Sequence, residues 1–148
     1  MSHTMPKGIK VLFIAGFGPV VRNQQASEKL FKGILQLPLE SIEGYDGYMH
    51  SRRIEGAKYF AVWPLDKAAL ACFDTPDWPE DMLVPQAWLE MEVDDLELAT
   101  NILEQNGYEI LSRLREEPWG QTVTRFLSPE GILMAVTYTP FLRETATG

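Results

Sequence analysis

Apolar and polar positions along the 148-residue chain follow two periods, and the changes between them outline its elements. Val11 to Val21 is a β-rich apolar run bounded by Arg22-Asn23, and it predicts a strand. Asn23 then caps a helix whose apolar face is Ala26, Leu30, Phe31, Ile34 and Leu35, at spacings of three and four. Pro38 stops that helix. Gly44 to Arg53 is turn-rich and then β-like, while Lys58 to Pro64 and Ala68 to Phe73 read as two strands around Leu65-Asp66-Lys67. Asp74 to Met82 holds two prolines and four acids and reads as a connector.

Beyond the connector the same order returns. Gln86 to Val93 predicts a strand, and Asp94 with Glu97 three residues on makes a capping box. The helix they open has the core face Leu96, Ala99, Ile102 and Leu103, and Asn106-Gly107 ends it. Tyr108 to Leu114 follows, and then a hairpin around Pro129-Glu130-Gly131, a tight reversal. On its arms Val123, Arg125, Leu127 and Leu133, Ala135, Thr137 alternate with Thr124, Phe126 and Met134, Val136, Tyr138.

An offset of 72 places Phe17 on Leu89, Val21 on Val93, Leu30 on Ile102 and Phe31 on Leu103, so strand and helix repeat in phase. Toward the hairpins the offset shrinks to 64, with Lys67 matching Gly131. This predicts an α+β fold of two βαβββ modules, residues 10–74 and 85–141, joined by a connector at 75–84. Residues 1–9 and 142–148 are read as tails.

Composition narrows the partners. The apolar fraction of 45% and four Trp, seven Phe and five Tyr are those of a globular domain large enough to bury a core. A net charge of −8 argues against nucleic acid, whose phosphates call for a basic surface. The lone Cys72 rules out an intrachain disulfide and sets a cytoplasmic location as the expectation. No apolar run approaches the roughly 20 residues of a membrane span, and Met1 to Lys7 has no apolar signal core. Metalloprotease, nucleophile-elbow, Walker and paired-cysteine motifs are all missing.

Val21-Arg-Asn-x-x-x-Ser27 at the first strand–helix junction and Pro118-Trp-Gly followed by Arg125-Phe-x-Ser-Pro-Glu-Gly131 resemble the vicinal oxygen chelate superfamily. That group includes glyoxalase I, bleomycin-resistance proteins, fosfomycin-resistance enzymes and extradiol dioxygenases. The family's Phe-x-Asp-Pro-Asp-Gly turn stands here with Ser128 and Glu130 in place of the two Asp, and the likeness covers residues 10 to 140. It implies two βαβββ modules that pair their first strands and curl into a cup. It also implies a homodimer and, in most members, a divalent metal held by side chains from the first and last strands of each module.

At the positions the resemblance assigns to that metal stand Gly16, Trp88 and Ala135, with Ala71 or Cys72 as the fourth. None is a carboxylate or imidazole, and a single thiolate makes no site. The expectation is therefore no metal cofactor, and a protein that binds or sequesters a small molecule in the manner of the bleomycin-resistance branch. One alternative is a lyase or dioxygenase with its metal on Glu90, His50 and Asp46; another is a non-catalytic subunit whose cup is filled by its own aromatics.

Strand alternation puts Ile14, Gly16 and Gly18 on the cup face of the first strand, with Ala15 and Phe17 behind it. The glycines either leave room for a ligand or let the first strands pack. From the second module come Trp88, Glu90, Gln121 and Arg125, with Trp119 at the mouth; Trp63, Tyr59, Tyr48 and His50 complete the rim. Trp88 is either an aromatic wall or a plug. Glu90 and Arg125 are expected to form an internal ion pair. The acidic chain with its aromatics suggests a cationic ligand and Arg125 an anionic one, and the sequence leaves both open.

Overall fold

The computed structural model describes residues 8–144, so most of the expected N-terminal tail, His3 included, and the last four residues lie outside it. The chain forms β1 (Val11–Val21), α1 (Gln24–Glu28) running into a π-helical stretch (Lys29–Ile34), β2 (Glu40–Ile42), β3 (Tyr45–Ser51), β4 (Phe60–Pro64) and α2 (Leu65–Phe73). It continues with β5 (Ala87–Val93), α3 (Leu96–Gln105), β6 (Ile110–Glu116), β7 (Thr122–Leu127), β8 (Leu133–Tyr138) and α4 (Pro140–Glu144). The eight strands make one mixed sheet in the order β2-β3-β4-β1-β5-β8-β7-β6.

This is an α+β fold of two βαβββ modules. β1 and β5 meet antiparallel at the centre, Phe17 opposite Leu89, and each pairs in parallel with the last strand of its own module. A parallel pair needs a long crossover, and each module's helix and meander supply one. Behind the second module, Val93, Ala99, Leu103, Phe126 and Val136 form a buried cluster. Val20, Ala61, Trp88 and Leu133 belong to another, which also takes in Ala68 and Cys72 from α2.

Five expectations of the fold need correction. Ala68–Phe73 is helix α2, not a strand, and the module-one hairpin is β3–β4. Ala68 to Ala71 contains strong helix formers, and Asp74 at φ 61° caps the end by donating to Leu70. The matching turns are thus Ile54–Ala57 and Ser128–Gly131, each closed by one backbone hydrogen bond, so the offset grows from 72 to 74. A register shift between Ile14 and Gly16 breaks the alternation in β1, turning Ala15 into the cavity and leaving Ile14 exposed. In α3 it is Asp95, not Asp94, that caps, accepting from Leu98 N–H at 3.0 Å. Finally, the C-terminal tail begins late, since residues 140–144 form α4.

Candidate functional site

Trp88 lies across the floor of the cup. It is 4% exposed, and its indole N–H donates to the Ala61 carbonyl at 3.0 Å. Both glycines of β1 exist for it and for the strand beside it. A Cβ on Gly16 would fall 2.9 Å from Trp88 Cη2, and one on Gly18 would fall 1.9 Å from the Ala61 carbonyl oxygen and 3.0 Å from Trp88 Nε1. Of the two readings of Gly16 and Gly18, close packing is the one the geometry supports.

Module one supplies an aromatic wall. Tyr48 and His50 project from β3 and Tyr59 and Trp63 from the β4 arm, and the two tyrosine hydroxyls hydrogen-bond to each other. His50 stacks on Tyr59 at 5.7 Å between centroids, and Trp63 meets Trp88 edge-on at 5.8 Å. Burial pushes the Tyr59 hydroxyl up to about 12 and Tyr48 well above its ordinary value, so both stay protonated at neutral pH. Burial lowers the pKa of His50, which keeps the imidazole neutral.

Module two supplies the polar side. Gln121 is fixed through both ends of its amide: its oxygen accepts from Trp119 at 2.8 Å, and its nitrogen donates to Thr137 at 2.8 Å and to Glu90 Oε1 at 2.9 Å. Burial raises the pKa of Glu90, opposed by the Arg125 charge and the Gln121 hydrogen bond and assisted by Glu117 and Glu92. Desolvation wins because the cup wall is mostly apolar.

The expected Glu90–Arg125 ion pair is absent. Arg125, 2% exposed, pairs with Glu117 at 2.8 Å and donates to the Ala71 carbonyl at 3.3 Å, while its Nε has no partner. Arg115 reaches the same Ala71 carbonyl at 2.9 Å and Glu117 at 3.5 Å. Both guanidinia thus sit at the C-terminal end of α2, where helix carbonyls lack partners and the helix dipole favours a cation. The strand expected at Ala68–Phe73 hid this, since a strand end has no macrodipole to favour a cation.

The seven candidate residues, Trp63, His50, Trp88, Glu90, Trp119, Gln121 and Arg125, all border one cavity of about 430 Å³. Tyr45, Arg52 and Phe141 border it too and were missed. Phe141 had been assigned to the very end of module two, and Arg52 donates to its carbonyl at 3.5 Å while lying over its ring. The apolar Pro140-Phe141-Leu142 triplet after the last strand was the available signal.

The donor set does not fit a metal. Phe17 pairs with Phe60 and Val20 with Trp63, which sets Gly18 beside Ala61, just as Glu90 pairs with Ala135. Ala61, not Ala71 or Cys72, is therefore the fourth position. Gly16, Ala61, Trp88 and Ala135 offer no oxygen or imidazole donor. Among the described residues no three of His, Cys, Asp and Glu converge, so Glu90, His50 and Asp46 form no substitute site. Cys72 is buried in α2, its thiol pushed up to about 11 by burial.

The sequence profile of the Glyoxalase/Bleomycin resistance protein/Dioxygenase superfamily matches residues 15–136. A superfamily member from Vibrio splendidus 12B01 is similar in structure at TM-score 0.55 and 10% identity, covering 87% of this chain and 97% of that one. Methylmalonyl-CoA epimerase from Mycobacterium tuberculosis is similar at TM-score 0.53 and 14% identity, over 96% and 97% of the two chains. At such identities the likeness is one of fold. No curated protein matches the chain in sequence.

Proposed function

Because this chain belongs to the glyoxalase/bleomycin resistance protein/dioxygenase superfamily but its described residues carry no metal donor set, we propose that it binds and sequesters a small molecule without metal, as a homodimer. The observation that carries the reading is the substitution at the heart of the cup. Where the superfamily's metal would lie, Trp88 packs on Gly16 and bonds to Ala61, and an open aromatic cavity remains above it. About 430 Å³ is within the range of small-molecule sites, which are mostly apolar with a few placed polar groups. Trp63 and Trp88 touch edge-on without filling that space, which weighs against a subunit with a filled cup.

Metal analysis of the purified protein and thermal melts test this. Ni²⁺, Mn²⁺ and Zn²⁺ should leave the melting temperature unchanged, whereas compounds with a flat aromatic skeleton should raise it and quench tryptophan fluorescence. Stoichiometric metal, or metal-dependent turnover of a hemithioacetal or a catechol, would overturn the proposal.

A further inference from the structure

The buried Arg125 and the half-buried Arg115 and Arg143 each already have a carboxylate. Arg125 pairs with Glu117 at 2.8 Å, Arg115 with Asp74 at 3.0 Å, and Arg143 with Glu92 at 2.6 Å. Glu90 enters none of the ion pairs among the described residues. Its Oε1 accepts from Gln121, while Oε2 receives no hydrogen bond from the described residues and is not sealed from solvent, so it opens on the cavity. A carboxylate largely taken out of water is stabilised by a positive partner, and no described residue forms an ion pair with this one.

We propose that the cup takes a small organic cation, an ammonium or amidinium on an aromatic skeleton, with its charge against Glu90 and its rings among Tyr48, Tyr59, Trp63 and Trp88. This rests on the metal-independent reading above and names the ligand class for the same cavity. Aromatic rings attract cations through their quadrupole, most strongly where water is excluded. Arg125 offers an anion little, because it is buried and its two terminal nitrogens serve Glu117 and Ala71. The net charge of −8 favours the approach of a cation.

The groups that act on Glu90 are Arg125 and Gln121 from the β7 side, Glu117 before β7 and Glu92 along β5. Glu90 in turn acts on Tyr48 of β3 and Tyr59 beside β4, both uncharged at neutral pH. His50 is neutral as well, and Arg52 at the rim is exposed and stacked on Phe141. A cation favours the ionised carboxylate. Its affinity should therefore fall as pH drops through the raised pKa of Glu90 and level off above it.

Calorimetry with three probes tests the proposal: benzyltrimethylammonium, a cation that does not titrate; neopentylbenzene, its neutral isostere; and benzoate. At pH 8 the cation should bind about tenfold tighter than the isostere or more, with benzoate weakest. Glu90→Gln should bring the cation down to the isostere's affinity and abolish the pH dependence, with the melting curve and near-UV circular dichroism unchanged. Equal or tighter binding of benzoate or the isostere, an unaltered Glu90→Gln affinity, or no binding of the cation overturns the assignment. If the isostere or benzoate still binds, the metal-independent reading survives without this ligand class. If none of the three binds and a divalent metal does, both fall.

Discussion

Gly16, Gly18 and Ala61 carry between them no side chain beyond a methyl, and the indole of Trp88 takes the space they leave. The two glycines differ in what blocks a Cβ. At Gly16 the obstacle is the edge of the Trp88 ring, 2.9 Å away; at Gly18 it is the backbone oxygen of Ala61, 1.9 Å away. Gly16→Ala should therefore cost about 1–2 kcal/mol and Gly18→Ala about 3 kcal/mol or more. Trp88→Ala should cost about 3–5 kcal/mol through the cavity it opens. In urea unfolding, Gly16→Ala combined with Trp88→Ala should be less damaging than the sum by about 1 kcal/mol. The Gly18→Ala pair should stay close to additive, since removing the ring leaves the carbonyl in place. Equal coupling in both pairs would refute this account. The residue types at these positions were readable from the chain, but the choice between ligand room and packing room was not, because it depends on which ring lies opposite.

Helices α1 and α3 show how far a periodic pattern reaches. Both segments carry apolar residues at spacings of three and four, and both have a side-chain N-cap, Asn23 and Asp95. α3 packs on its sheet: Ala99, Thr100 and Leu103 are buried, and Thr100 bonds to Thr124 of β7 at 2.8 Å. α1 gives way to a π-helical stretch after five residues, and neither part has a buried residue. Of the predicted face only Phe31 is partly buried, against Leu39, Met49 and Val62, while Ala26, Leu30, Ile34 and Leu35 are exposed. The period states that a helix has an apolar side; it does not state that a partner covers it. Native-state hydrogen exchange should be faster across 24–34 than across 96–105 in the isolated chain, and comparable protection would contradict the undocked geometry. α2 was misread for a related reason. The expected reversal at Leu65-Asp66-Lys67 lacks the Gly or Asn that tight turns favour, and the alanines after it favour a helix.

At the scale of the whole molecule, apolar side chains of β1 and of the α1 segment, among them Val11, Ile14, Phe17 and Ile34, are exposed. Exposed apolar side chains mark contact sites where they are contiguous, and these are the residues a second protomer would cover. The proposed homodimer is checked by sedimentation equilibrium, where a mass of twice 16.8 kDa is expected and a monomer at high micromolar concentration would remove it. Among the described residues no helix is long and apolar enough to cross a membrane. The sequence by itself determined the α+β class of two repeated modules, the closing turn and the residue types at Gly16, Trp88 and Ala135, none a metal donor, because period, turn chemistry and residue type are local properties. Only the tertiary structure decided that Trp88 plugs the floor, that Arg125 belongs to Glu117 and the end of α2, and that Glu90 is left facing the cavity. Several acids compete for each arginine in the chain, and distance in the folded sheet, which no spacing along the sequence encodes, selects among them.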